Sequence, residues 1–169
     1  MINTRLNKFS KTLFYILKCL RGCFVESIFF CCFEKVNSIA DLKVMFHRNE
    51  RPIYFIGATN FNLLGMDRWI NRFRYINYID CFDGRHPNVF VPTETPHEEF
   101  TSIEDITNHL LQHKEVIDLI ERRGGNPVGT FLMFDEKTEK LAKKLGLQVM
   151  FPTAKMRTFM DNKVNTNRI

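Results

Sequence analysis

Hydrophobic positions along the chain change period several times. From Leu13 to Cys31 they recur at spacings of three and four, through Ile16, Leu17, Leu20, Phe24 and Ile28. That spacing predicts an amphipathic helix within an N-terminal arm spanning residues 1–50. Lys18, Arg21 and Glu26 interrupt the apolar run over 12–33, so its uncharged stretches fall far below a membrane span. TLFYIL is short for the apolar region of a signal peptide, and no small-residue cleavage site follows it cleanly. Two readings of the stripe stand: a face packed on a protein domain, or a basic helix in weak contact with a membrane surface through residues 12–33. A second short helix is expected after Ser38, an N-cap with Asp41 at the capping-box position, ahead of Leu42, Val44 and Met45. HRNERP, at 47–52, reads as a loop.

The pattern then alternates between short apolar runs and amphipathic stretches. Ile53 to Ile56 form a run closed by Gly57, which suits a strand buried on both faces. Ala58, Thr59 and Asn60 make a polar turn leading to an expected helix over LLGMDRWINRF. Tyr75 to Cys81 are β-prone, Asp83-Gly84 mark a turn, and Val89 to Val91 form a short strand closed by Pro92. Ser102 is a good N-cap for one helix running to Arg122 and Arg123, with Ile103, Ile106, Leu110, Ile117 and Ile120 as its buried stripe and Gly124-Gly125 as its end. Val128 to Phe134 predict a strand, and Asp135 caps a helix with Leu141, Ala142 and Leu145 inward. Gly146 ends that helix, and Leu147 to Met150 form a further strand closed by Pro152. Strand, capped helix and strand are the elements of a right-handed βαβ crossover. The fold class is therefore α/β: a Rossmann-like, mainly parallel sheet flanked by helices, preceded by the helical arm.

Composition adds bounds. The chain has 169 residues, enough for one ordinary domain with an arm, and 44% hydrophobic residues, enough for a real core. The net charge of +5 is concentrated at the two ends, a weak signal for anionic partners. No helix-turn-helix, RNP or zinc-finger pattern accompanies it, so nucleic acid is not an expected partner. Five cysteines, four of them in the arm, form no paired CxxC motifs and read as reduced thiols of a cytoplasmic protein.

Candidate chemistry is sparse. The turn after the first strand lies at the ligand edge of such folds, which makes Thr59 and Asn60 candidates for substrate contact, although capping the next helix is the preferred role. Gly57 and Gly65 are too far apart for a dinucleotide fingerprint. Asp83 is a further strand-end candidate, and with Asp80 it could be imagined as a metal pair, but turn and capping roles are preferred. His109 and His113 have the spacing of a two-histidine clamp without the HExxH context, and core or boundary histidines are preferred. No metal site is expected.

The segment LGLQVMFPTAKMRTFMDNKVNTNRI resembles a junction of ATP-grasp enzymes, among them biotin carboxylases and carbamoyl-phosphate synthetases. There a small Rossmann-like pre-ATP-grasp domain ends in a strand, a proline turn and a helix, followed by a (D/N)K segment. The resemblance covers roughly 51–169. It implies a pre-ATP-grasp domain at 51–152 and the start of a nucleotide-binding domain at 153–169. Leu147 to Met150 would be the last strand, Pro152 to Ala154 the turn and Lys155 to Met160 the helix. Lys163 would contact ATP phosphate as a compact charge, with Asn162 and Asn165 as neighbours rather than ligands. The glycine-rich opening of biotin carboxylases does not follow the strand at 53–56, so the substrate of the implied ligase is left open. Such ligases join a carboxylate to an amine or similar nucleophile through an acyl phosphate, using ATP and Mg2+. Their second lysine, glycine-rich flap and magnesium ligands would have to come from an ATP-grasp catalytic domain, on the same chain or a separate one. This chain alone is then expected to be inactive. The competing expectation is a stand-alone α/β module that binds a partner or ligand, with the basic arm as anchor.

Overall fold

The structure, a computed structural model, describes residues 37–60, 63–81, 85–97 and 99–162. The chain divides into two compact units, Met1–Asp41 and Leu42–Ile169. The helix expected over 13–31 lies outside the described residues. Helix α1 spans Ile39–His47 and begins with the expected capping box. The Ser38 hydroxyl accepts from the Asp41 N–H at 3.1 Å, and the Asp41 carboxylate accepts from the Ser38 N–H at 2.9 Å.

The fold is α/β. Strands β1 (Ile53–Gly57), β2 (Phe73–Asn77), β3 (Val89–Phe90), β4 (Val128–Phe131) and β5 (Gln148–Val149) form one sheet in the order β3-β2-β1-β4-β5. Every pairing is parallel, with Tyr54 beside Arg74 and Gly129 across the central strand. β1 is buried along its whole length, as its unbroken apolar run requires.

Side-chain alternation along the strands builds two cores. Tyr54, Ile56, Ile76 and Phe131 face one side. Helices α3 (Ile103–Gln112), α4 (Lys114–Arg123), α5 (Glu136–Lys144) and α6 (Ala154–Asp161) contribute Leu110, Val116, Ile120, Ala142 and Ala154 to it. Ile53, Phe55, Phe73, Tyr75 and Val128 face the other side, with Phe46 of α1 and Met66 of the short helix α2 (Met66–Trp69).

Several expected elements differ in extent. The helix anticipated over LLGMDRWINRF is a single turn, because Gly65 enters it at φ 101 and Ile70 leaves in extended conformation. Arg72, at φ 63, turns the chain, and Phe73 already belongs to β2, so that strand starts and ends earlier than expected. The strand anticipated over Val128 to Phe134 stops at Phe131. The single helix anticipated from Ser102 to Arg123 is two helices, since His113 adopts φ −71, ψ 128. Ile103, assigned to the buried stripe, is exposed, while Thr107, Asn108, Leu111, Val116 and Leu119 are buried instead. Asp135 does form the predicted cap, reinforced by Thr138. Among the described residues no helix is long and apolar enough to cross a membrane.

Candidate functional site at the carboxyl edge of the sheet

The chain leaves β1 toward β2 past α2 on one face, and leaves β4 toward β5 through α5 on the other. Neighbouring parallel strands whose connections depart in opposite directions open a crevice between their carboxyl ends, where ligands of such folds bind. Three groups of side chains gather along this edge.

The first closes the ends of β1 and β2. The ladder continues past the strands, with the Tyr78 N–H donating to the Gly57 carbonyl and the Ile79 N–H to that of Ala58. Asn60 is buried, and its amide donates to the Cys81 sulfur at 3.1 Å. Asn77 is fully buried; with its amide oriented to satisfy both ends, it accepts from the Asn60 N–H at 2.9 Å and donates to the Ile76 carbonyl at 3.2 Å. Asn60 thus ties the strand ends together and is not the cap of α2, whose N-cap is Gly65. Thr59 beside it is half-buried. Asp83 and Lys163 lie outside the described residues.

The second group is an aromatic and histidine cluster after β2. His97 stacks on Phe100 at 4.3 Å and lies 5.1 Å from His109. Tyr78 meets the rings of His97, Phe100 and His109 edge-on. The partners fix two tautomers. His97 carries its proton on Nδ1, facing the Thr95 carbonyl at 2.9 Å, and Nε2 accepts from the Tyr78 hydroxyl at 3.3 Å. His113 donates from Nε2 to the Thr93 carbonyl at 2.9 Å, while Nδ1 accepts from the Glu115 N–H at 3.2 Å. Both nitrogens of His113 are therefore engaged, and the spacing to His109 is not that of a clamp. Burial, and then the neighbouring His97 and His113, push His109 below the usual histidine range, which favours a neutral ring at physiological pH.

The third group lines an open cleft of about 500 Å³ bounded by Ser102, Glu104, Asp135, Lys137, Arg157 and Thr158. Arg157 organises one wall. It pairs with Glu104 at 3.1 Å and Asp161 at 3.2 Å, donates to the Phe134 carbonyl, and stands over the Phe134 ring at 5.7 Å. Asp135 organises the other. It accepts from the Thr138 N–H at 2.8 Å, from the Thr138 hydroxyl at 2.9 Å and from the Asn108 amide at 3.2 Å. Burial pushes the Asp135 carboxyl up, but the Thr138 and Asn108 donors outweigh it and hold the group below the ordinary carboxylate range.

Sequence pattern alone missed Tyr78, His97, Glu104 and Arg157. Only the spacing of Arg157 and Asp161 on one helix carried a local signal. Lys163, the phosphate contact that the resemblance implies, lies outside the described residues, and the resemblance puts the magnesium ligands on a catalytic domain. Asn60 and Asn77 close the β1 turn, and among the described residues no group of three or more His, Cys, Asp or Glu side chains is placed to hold a metal. No protein-family model, curated protein or solved structure matches the chain.

Proposed function

We propose that this chain carries the substrate-side domain that precedes the nucleotide-binding half of an ATP-grasp ligase. In that reading it works with an ATP-grasp catalytic domain, on the same or a separate polypeptide. The catalytic domain supplies the ATP and magnesium site, and carboxylate-amine ligation proceeds there through an acyl phosphate. The domain described here contributes a rigid α/β support and one wall of the substrate crevice, in the cytoplasm.

The observation that carries the reading is α6 and what precedes it. β5 ends the sheet, Pro152 and Thr153 turn the chain, and α6 docks by buried Ala154 and by Arg157. That is the order of elements in the ATP-grasp junction. Met156, Phe159 and Met160 on the same helix are exposed, an apolar surface of the kind a following domain covers.

The test is a photo-crosslinking residue at position 159, introduced into the protein in its native cell, with the products sequenced. A crosslink to a segment bearing the glycine-rich flap and second lysine of an ATP-grasp domain, within one polypeptide or between two, is the expected result. Crosslinks confined to other proteins, or none, would overturn the reading and leave a stand-alone binding module.

A further inference from the structure

The strap at 93–97, between β3 and α3, is held largely through histidine. The Thr93 carbonyl accepts from His113 Nε2 at 2.9 Å, and the Thr93 N–H donates to the Glu115 carboxylate at 3.1 Å. The Thr95 hydroxyl lies 3.5 Å from His109 Nε2, and His97 Nε2 accepts from the Tyr78 hydroxyl at 3.3 Å. The three imidazoles form a row, with ring centroids 5.1 Å apart for His97 and His109 and 6.2 Å apart for His109 and His113. Rings this close take up protons as a set rather than singly.

A proton has a different consequence on each ring. His97 is exposed and tolerates one: Nδ1 still donates to the Thr95 carbonyl, and Nε2 then donates to the Tyr78 oxygen. His113 is buried and does not. Its Nε2 is committed as a donor to Thr93, so the added hydrogen falls on Nδ1, facing the Glu115 N–H that Nδ1 accepts from at 3.2 Å. Two donors then oppose each other and the α4 cap is lost. His109 is half-buried between the other two, so a charge on it stands beside any charge on either. The carboxylates around the row are engaged or in solvent. Asp105, one turn before His109 on α3, accepts from the Thr101 hydroxyl at 2.6 Å, and Asp135 of α5 is taken by Thr138 and Asn108. Glu115 attracts a charge on His113, but its carboxylate already holds the Thr93 N–H. Glu94, Glu99 and Lys114 are exposed.

We propose that His97, His109 and His113 form an acid-sensitive latch, which holds the strap on α3 while at most one ring is charged and releases it when a second proton enters. Release separates the rings and hydrates them, so the open state binds more protons than the closed one. Closure is therefore favoured above the ordinary histidine range and is lost as pH falls through it. The downward shift of His109, caused by burial and then by His97 and His113, has the same sign. Opening frees the Tyr78 hydroxyl from His97 at the carboxyl edge, so acid changes the mouth of the crevice while the sheet stays folded. The latch does not depend on the ligase reading.

The test follows amide exchange of the full chain by NMR from about pH 7.5 to about pH 5, the range in which histidine gains its charge. Each rate is corrected for the intrinsic effect of pH. The Thr93 and Glu115 amides are the reporters, since their acceptors are the carboxylate and the imidazole of the latch. Their protection should fall by about tenfold or more, the change that one unit of pKa difference produces. Ile56, on the buried central strand, should keep its protection. His109→Gln and His97→Gln should each move the fall to lower pH by about half a unit or more, because one neighbouring charge is gone. His47→Gln, at an exposed position on α1, should behave like the wild type. Should His109→Gln fold poorly, His97→Gln carries the test, because that side chain is exposed. Unchanged protection of Thr93 and Glu115 at the acid end would overturn the latch. So would an equal fall at Ile56, which is global unfolding, or a fall that neither cluster variant moves.

Discussion

Asp135 concentrates several roles in one carboxylate. It caps α5, and it binds Asn108 and Thr138, which are themselves buried and bonded to each other at 2.8 Å. Asp135→Ala removes the cap and leaves two buried polar groups short of a partner, so it should cost about 2–3 kcal/mol in urea unfolding. The pH dependence follows from the direction of the shift. The folded carboxyl sits below its ordinary value, so the unfolded chain binds the proton more readily. The stabilisation is present above the ordinary carboxylate range and is lost as pH falls through the folded value. Asp135→Asn should flatten that acid limb, and an unchanged limb would show that other carboxylates control it. Gly129 is a second residue with a sharp expectation. A Cβ there would meet the Phe131 ring at 2.9 Å, and that ring is packed in the core. Gly129→Ala should therefore destabilise by about 1–3 kcal/mol through overpacking. A neutral result would mean the ring has room to turn.

At the level of elements, the break between α3 and α4 depends on His113. Its Nδ1 caps α4 and its Nε2 holds the segment at Thr93. His113→Ala should lose about 1–2 kcal/mol while helix content measured by circular dichroism stays unchanged. A loss below about 0.3 kcal/mol, well under the usual value of a cap, would show that packing alone keeps the helices apart. This break was not legible in the sequence, because neither Gly nor Pro marks it and the apolar period runs on through it. The partner that holds it, Thr93, is 20 residues away. Local chemistry, by contrast, was readable: the Ser38 and Asp135 caps and the apolar run of β1 each depend on a few adjacent residues. The same distinction explains the site. Asn60 was recognisable as a strand-end residue, yet its role is set by Asn77 and Cys81. The cluster of Tyr78, His97 and His109 exists only because the fold brings a loop against α3.

For the molecule as a whole, the decisive feature is that one sheet separates two cores. Every strand sends alternate side chains to each face, and Tyr54 and Phe55 are adjacent in sequence yet belong to different cores. Neither core can lose its sheet without exposing the other, so the unit Leu42–Ile169 should unfold as one cooperative body. A polypeptide of residues 37–169, which retains the Ser38–Asp41 capping box, is the material for the test. Its fluorescence and far-ultraviolet transitions should coincide in urea. Phe55→Ala, on the α1 and α2 side, should cost about 3–5 kcal/mol, as truncation of a buried phenylalanine generally does. It should lower the exchange protection of Leu110 and Ile120 on the opposite side by the same amount as the global stability. Protection of those amides that survives the substitution would mean that α3, α4 and β4 form a separate folding unit. The sheet would then be a hinge between two layers rather than their common support.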